Sequence, residues 1–156
     1  QLPLNCRRVM SEVESSITCL CGAVKAVITR PAAGEPFAQF VGNCHCKPCR
    51  RYTGGLYYAM AGLKKEQYAV VVGEELLTKY KVNDTLTRTF CSKCGTPFAN
   101  CVDSEKFNLR SVSLGLITGP AAEELEPKIN FNMESHVKYA PVDEKLPHFP
   151  QFPPMG

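Results

Sequence analysis

The sequence predicts a mostly β domain whose antiparallel sheets are joined at clusters of cysteine. Three observations predict this fold class: short runs of alternating apolar and polar residues, 12 Pro and 11 Gly that favour turns over long helices, and nine cysteines at recurring short spacings. A chain of 156 residues has room for one core. With 44% apolar and 21% charged residues and no long apolar stretch, neither a membrane span nor a disordered chain is expected.

The first half of the chain is predicted to alternate strands with a cysteine-rich loop. Segment 17–29 is predicted as one strand because Val24, Ala26 and Ile28 oppose the residues between them. Segment 37–41 is predicted as another strand. Segment 42–55 is predicted as a loop or a single helical turn, and 56–63 returns to an apolar run.

A two-residue period dominates the second half. Tyr80 and Val82 share one face while Lys79 and Lys81 share the other, which is typical of a half-buried antiparallel strand. Short helical turns are expected only at 64–67 and 121–125, and the Pro-rich tail from Pro141 is expected to run extended over the surface. The strands are predicted at 68–72, 77–82, 85–90, 97–102 and 108–117.

The nine cysteines indicate metal binding rather than disulfides. An odd number cannot all pair, and residues 1–13 contain no apolar core of the kind a secretory signal needs. A cytoplasmic location is therefore expected, where thiols stay reduced and closely spaced cysteines are usually metal ligands.

The first and last cysteine groups predict a closed structural zinc site. Cys19-x-Cys21-Gly22 and Cys91-x-x-Cys94-Gly95 each supply two sulfurs followed by a glycine that can take positive φ. Sulfurs around zinc lie roughly 3.8 Å apart and side chains two apart on a straight strand about 7 Å apart, so the backbone must bend at each group. Buried unliganded cysteines or a disulfide in either pair are the alternatives.

The central group, Cys44-x-Cys46-x-x-Cys49, predicts a second and different zinc site. Three protein ligands plus one open position is the arrangement of a catalytic zinc. Because three thiolates make the site anionic, an incoming thiol is a better partner than a water molecule. The alternative is that a fourth ligand closes this site as well: Cys101, His45, His136 or Cys6.

The formal charge of +3 does not indicate a nucleic-acid-binding protein, because two thiolate-bound zinc ions would offset it. The basic group Lys47, Arg50 and Arg51 is too small for a nucleic-acid footprint. It can instead anchor the carboxylates of an acidic thiol such as glutathione, or simply balance the anionic metal centre as a solvated turn. Tyr52, Tyr57 and Tyr58 are candidate donors to a developing oxyanion, the alternative being strand packing, and Tyr52 or Tyr57 is the candidate for proton transfer.

The sequence resembles the glutathione-dependent formaldehyde-activating enzymes and their centromere-protein-V-like relatives. Three motifs carry the resemblance in the family's order: Cys19-Leu20-Cys21-Gly22-Ala23-Val24, Asn43-Cys44-His45-Cys46-Lys47-Pro48-Cys49-Arg50-Arg51-Tyr52-Thr53-Gly54 and Phe90-Cys91-Ser92-Lys93-Cys94-Gly95-Thr96-Pro97. The resemblance implies an Mss4-like fold of antiparallel sheets around zinc, with an N-terminal arm at 1–16, the zinc domain at 17–149 and a Pro-rich tail at 150–156.

The resemblance also implies the ligands and the reaction. Cys19, Cys21, Cys91 and Cys94 would hold a structural zinc, and the central trio would hold the reactive one. The founding reaction is the condensation of glutathione with formaldehyde to S-(hydroxymethyl)glutathione, classed as a carbon–sulfur lyase activity. Two alternatives remain open: the same zinc chemistry on a different metabolite of a biosynthetic pathway, and a non-catalytic zinc-stabilised binding module. No nucleic-acid or membrane partner is expected.

Overall fold

The computed structural model describes residues 13–154, which form eleven strands in two sheets, two short α-helices and four single 3-10 turns. Cys6 and the predicted arm up to residue 12 lie outside the described residues, and residues 13–16 are the start of the first strand. The strands are β1 (Val13–Thr18), β2 (Lys25–Thr29), β3 (Phe40–Cys44), β4 (Tyr58–Lys64), β5 (Tyr68–Val72), β6 (Leu77–Lys81), β7 (Leu86–Cys91), β8 (Pro97–Asp103), β9 (Asn108–Ser113), β10 (Ile117–Thr118) and β11 (Ile129–Phe131).

The helical elements are short and lie between strands. The two α-helices are α1 (Lys47–Thr53) and α2 (Ala121–Glu124), and the 3-10 turns are Lys65–Gln67, Glu74–Leu76, Leu114–Leu116 and Met133–Ser135. Among residues 13–154, no helix has the length and apolar character needed to cross a bilayer.

The mostly β fold class is confirmed. A four-stranded sheet has the order β10-β1-β2-β5, and a seven-stranded sheet has the order β11-β3-β4-β9-β8-β7-β6. The described strand pairs are antiparallel except β11 with β3, which is parallel. The core contains buried side chains of both sheets, such as Ile17 and Ile28 from the smaller sheet and Leu63 and Val112 from the larger one.

The other face of the larger sheet carries the candidate site. Residues paired across antiparallel strands point to the same face. The register Gly62↔Ser111, Ser111↔Asn100 and Asn100↔Arg88 therefore places polar side chains of β9, β8 and β7 on one surface. Gly62 is required there, since any side chain would overlap the ring of Phe40.

The prediction of one strand over 17–29 is wrong at its centre. The chain reverses between Cys19 and Val24, where the Cys19 amide donates to the Val24 carbonyl oxygen at 3.1 Å and Gly22 has a φ of 74°. The two halves become β1 and β2, which pair antiparallel. Residues 19–24 include no charged or hydroxyl-bearing side chain, so no polar break marked the reversal, although the buried positions change from Ile17 and Cys19 to Val24, Ala26 and Ile28 across it.

Other predicted boundaries differ in smaller ways. Strands predicted at 68–72, 77–82, 85–90 and 97–102 are confirmed within one residue at each end. The strand predicted at 37–41 is β3, which begins three residues later, and the strand predicted at 108–117 is interrupted by the 3-10 turn Leu114–Leu116. Strand β11 was not predicted, because three residues show no usable period.

The C-terminal tail lies along β11 and closes one side of the site. The Asn130 amide donates to the Pro147 carbonyl oxygen at 2.9 Å, and the Phe149 amide donates to the Asn130 carbonyl oxygen at 2.8 Å. Farther along the tail, the Phe152 ring packs edge to face on Phe40 and Phe131, at centroid distances of 5.0 and 4.9 Å.

Candidate metal centres

The first candidate metal centre joins the two sheets. Cys19 and Cys21 lie in the turn between β1 and β2, Cys91 ends β7, and Cys94 lies in the turn that leads to β8. Their four Sγ atoms all lie within 4.8 Å of one another. The Sγ–Sγ separations of 3.6 Å for Cys19–Cys21 and 3.8 Å for Cys21–Cys91 match the spacing of sulfurs around one tetrahedral zinc ion.

Backbone turns shape this four-cysteine cluster in the way that the glycines predicted. Gly22 and Gly95 have φ of 74° and 73°. The Gly95 amide donates to the Cys91 carbonyl oxygen at 2.8 Å, which closes the second turn, and the Val24 amide donates to Cys19 Sγ at 3.2 Å. Such N–H···S contacts stabilise thiolates, which are the form that binds metal.

The eight cysteines that the structure describes are all free. The separations of 3.6 and 3.8 Å in the four-cysteine cluster are far longer than a disulfide bond of about 2.05 Å. The predicted alternative of a disulfide in either pair is therefore not what the structure contains, and the donor set of four sulfurs fits zinc.

The second candidate centre is built where β3 meets α1. Cys44 ends β3, Cys46 is the N-cap of α1, and Cys49 lies in the first turn of that helix. The Cys49 amide donates to Cys46 Sγ at 3.4 Å, so the sulfur takes the capping role usually filled by an oxygen. Pro48 suits the start of this helix because its missing N–H would have no partner there. The three Sγ atoms lie within 4.8 Å of one another.

Hydrogen bonding within the trio concentrates negative charge on its middle sulfur. Hydrogen bonds from the Cys44 and Cys49 thiols lower the pKa of Cys46 to about 2. In return the pKa of Cys44 is raised to about 11, chiefly by its hydrogen bond with Cys46, and that of Cys49 is raised by its hydrogen bonds with Cys44 and Cys46. These hydrogen bonds thus favour the thiolate at Cys46 over a thiolate at Cys44 or Cys49.

Two further side chains donate to the trio, and neither was predicted from the sequence. Asn132 Nδ2 lies 3.2 Å from Cys44 Sγ, and Arg88 Nη2 lies 3.6 Å from Cys49 Sγ. Among the described non-glycine residues, Asn132 alone has positive φ, at 57°, a conformation that asparagine tolerates better than most residues.

Arg88 is a buried cation beside the sulfurs. The residue is 8% exposed, and its Nη1 donates to the Pro48 carbonyl oxygen at 2.7 Å. Its guanidinium also lies over the Tyr52 ring, 4.7 Å from the centroid. The sequence did carry a signal for the burial of Arg88. Arg88 lies two residues from both Leu86 and Phe90, so it shares their face of the strand, at a position where an apolar residue is expected.

No fourth histidine, cysteine or carboxylate joins the trio within the part of the chain that is described. His45 is buried and lies against the Tyr57 and His136 rings, at centroid distances of 5.3 and 6.2 Å. Cys101 lies opposite Thr87 and Arg110 in the register of the sheet, so its side chain is on the face opposite to that of Arg88. Of the predicted alternatives for a fourth ligand, only Cys6 lies outside the described residues.

The trio lines a cavity of about 410 Å³, here called the sulfur cavity. Most of its other lining side chains are apolar, and its polar lining comes from Arg88, Asn100, Ser111 and Asn132. A second depression of about 430 Å³, here called the basic groove, adjoins it and shares Pro48, Val82 and Arg88 with it. The basic groove is lined in addition by Lys47, Arg51, Tyr52, Tyr80 and Phe90.

The three predicted basic residues separate in the structure. Lys47 and Arg51 line the basic groove. Arg50 points elsewhere: its Nε donates to the His45 carbonyl oxygen at 3.3 Å and its Nη2 to the Ser135 carbonyl oxygen at 3.1 Å. Arg50 therefore ties α1 to the turn that follows β11.

The candidate tyrosines lie beside the trio rather than in the sulfur cavity. The Tyr52 hydroxyl donates to the Thr89 carbonyl oxygen at 2.6 Å and accepts from the Phe98 amide at 3.1 Å, and burial raises its pKa. Tyr57 is half-buried against the His45 ring. Tyr58 is fully buried, and its hydroxyl has no hydrogen-bond partner among residues 13–154.

Fold and site together define a mostly β protein with one four-cysteine and one three-cysteine candidate metal centre. The family model for glutathione-dependent formaldehyde-activating enzyme matches residues 14–135. The chain belongs to this family.

The chain is also similar to a named relative and to a solved structure. A Halomonas elongata protein whose name places it among these enzymes is 32% identical over 107 residues, a match that covers 56% of this chain and 65% of that protein. A crystal structure of a Rhodobacter sphaeroides protein, solved as a structural-genomics target, is 26% identical with a TM-score of 0.53, and the match covers 72% of this chain and 96% of that one.

Proposed function

We propose that the protein is a carbon–sulfur lyase that joins a thiol, glutathione, to a small aldehyde such as formaldehyde, and catalyses the reverse reaction. The observation that carries this proposal is the position of the cysteine trio in the wall of a cavity, where the described residues supply three ligands and not four. A closed structural centre would need the fourth. The name of the Halomonas relative supports the same two substrates.

The trio would hold the catalytic zinc and the four-cysteine cluster the structural one. A zinc ion with three thiolate ligands and one open position would supply a means of lowering the pKa of an incoming thiol. The reducing cytoplasm is the compartment that suits this chemistry, since all eight described cysteines are free.

The protein's own side chains divide the remaining work. Arg88 and Asn132 donate to sulfurs of the trio and so favour their anionic form. Lys47 and Arg51 in the basic groove would bind the carboxylates of glutathione. Arg50 would act as a positioning residue, because its donors are used on backbone carbonyls.

The reaction needs no oxidant or reductant. The thiol sulfur adds to the carbonyl carbon, the carbon–oxygen π bond breaks, and the thiol proton ends on the former carbonyl oxygen. Proton transfer by Tyr52 or Tyr57 remains a prediction, and the two backbone hydrogen bonds of the Tyr52 hydroxyl favour Tyr57 for that role.

Exchange between glutathione and formaldehyde, followed by NMR, tests the proposal once the spontaneous rate is subtracted. We expect acceleration by protein that holds two metal ions per chain. Cys46→Ser should abolish it while preserving the fold, since serine is a good N-cap for α1. Cys101→Ser on the opposite face is the matched control and should keep full activity. Metal-loaded protein with no acceleration would refute the proposal.

A further inference from the structure

The wall of the sulfur cavity is far more apolar than formaldehyde requires. The rings of Phe40, Phe131 and Phe152 contact one another edge to face, at centroid distances of 4.9 to 5.9 Å, and form one part of the wall. Cross-strand neighbours on β7, β8 and β9 form another part: Leu86, Val102 and Leu109. A one-carbon aldehyde has no substituent with which to cover these surfaces.

Two residues that line this cavity each carry one buried polar atom without a hydrogen-bond partner among the described residues. The two atoms are Nε of Arg88 and Oδ1 of Asn100, which belong to residues that are 8% and 6% exposed and are paired across β7 and β8. An unpaired donor and an unpaired acceptor in a buried site are costly, so a small shift of either side chain toward a polar group of a ligand would be favourable. A hydroxyl suits these two residues, because it both accepts and donates.

We infer that the electrophile of this enzyme is an aldehyde with an apolar substituent of about five carbons or more, aliphatic or aromatic, which lies against the apolar wall. A mostly apolar cavity of about 410 Å³ has the size of sites that bind such molecules. The inference rests on the proposed function, because it keeps the addition of a thiol to a carbonyl carbon.

The chemistry of this addition matches the unpaired atoms. One carbon–sulfur bond forms, the carbonyl π bond breaks, and the thiol proton moves to the oxygen, so no co-reactant is needed. The product carries a hydroxyl on the carbon next to sulfur. That hydroxyl offers the acceptor that Arg88 Nε lacks and the donor that Asn100 Oδ1 lacks. The carboxylates of the thiol would meanwhile lie in the adjoining basic groove beside Lys47 and Arg51.

Stable thioethers test the cavity without turnover. Calorimetric titration of the metal-loaded protein would compare glutathione, S-methylglutathione and S-hexylglutathione. Each methylene removed from water is worth about fourfold in affinity, so we expect the hexyl derivative to bind at least about tenfold more tightly than the methyl derivative. A hexyl derivative that binds no more tightly overturns the inference and leaves the proposed function intact. Failure of glutathione and both thioethers to bind overturns both.

Measuring turnover with a series of aldehydes tests whether the apolar group belongs to the aldehyde or to the thiol. We expect the acceleration over the spontaneous rate to rise from formaldehyde to butanal, hexanal and benzaldehyde when glutathione is the thiol. Hexanethiol with formaldehyde is the contrasting pair. If that pair is accelerated more than glutathione with hexanal, the apolar group belongs to the thiol and the inference is overturned.

Filling the cavity gives a variant with a matched control. Val102→Trp places a large ring in the wall on β8, whereas Val72→Trp makes the same change at a half-exposed position of β5 in the other sheet. We expect Val102→Trp to remove the advantage of the hexyl group while two metal ions and glutathione binding are retained. Leu86→Phe is a milder second variant if the first does not fold. If the folded variants still bind S-hexylglutathione more tightly than S-methylglutathione by the same factor as the parent protein, the inference is overturned.

Discussion

The four-cysteine cluster is expected to clamp the two sheets together, and its loss has a calculable effect on stability. Cys21 and Cys91 are 70 residues apart in the chain, and their sulfurs are 3.8 Å apart. A link that closes a loop of that length removes unfolded-chain entropy worth about 4 kcal/mol at 25 °C. Domains of this kind are stable by only about 5–15 kcal/mol, so the clamp supplies a large share of the total.

The double variant Cys21→Ser, Cys94→Ser removes the more exposed half of this cluster and so disturbs core packing least. We expect it to lose one metal ion per chain and about 4 kcal/mol of unfolding free energy. Cys46→Ser is the matched control, because the trio spans only residues 44–49 and closing so short a loop is worth about 2 kcal/mol or less.

Urea unfolding followed by circular dichroism, together with metal analysis of each variant, measures both quantities. If the double variant does not fold, titration of the parent protein with a chelator gives the same comparison, since the urea midpoint should fall as the four-cysteine cluster loses its ion. A double variant that has lost its ion but keeps the parent's urea midpoint would refute the clamp.

Three shorter predictions concern the second centre. Arg88→Met should weaken thiol binding by about tenfold or more at an unchanged metal content, because a positive charge near the trio is lost, whereas Arg110→Met, at an equally buried arginine, should not. Titration of the cobalt-loaded variants with thiol, followed by absorption, measures both affinities, and equal losses would contradict the role of Arg88 in thiol binding. Because the pKa of Cys44 is raised to about 11 and that of Cys49 is also raised, we expect both thiols to hold protons at pH 7, so metal binding should release about two protons and weaken as pH falls. Calorimetry in two buffers of different ionisation enthalpy counts the released protons, and zero release would contradict the prediction. Tyr52→Phe should lower the free energy of unfolding by about 1–3 kcal/mol, since the Thr89 carbonyl and the Phe98 amide lose their partner, with little change in turnover; a folded variant without turnover would make Tyr52 catalytic.

The cysteine groups of the two candidate metal centres could be predicted from the sequence because the spacing within each group is a local property. Two sulfurs separated by one or two residues and followed by glycine can reach one ion only through a tight turn, and Gly22 and Gly95 do take positive φ. The strands from Tyr68 to Asp103 were equally predictable, because each has a period of two and lies between clear turns.

The surroundings of the trio could not be predicted in the same way. Asn132 and Arg88 are 88 and 39 residues from the cysteines that they contact, and only the pairing of β11 with β3 and the order of β7 in the sheet bring them there. Lys47, Arg50 and Arg51 were close in sequence, yet α1 turns Arg50 away from the groove that the other two line. Nearness in sequence predicted the grouping of the cysteine trio but not the direction of a helical side chain.

Strand β7 links the two centres physically. Cys91 at its end belongs to the four-cysteine cluster, and Arg88 on its opposite face contacts Cys49 of the trio. Between them, the Thr89 carbonyl oxygen accepts from Tyr52 on α1, the helix that carries Cys49. Loss of metal from the four-cysteine cluster should therefore displace Arg88 and weaken thiol binding at the trio, an effect that spectral titration of the Cys21→Ser, Cys94→Ser variant would detect even where the trio keeps its own metal. An unchanged thiol affinity in that variant would show that β7 holds its position without the clamp.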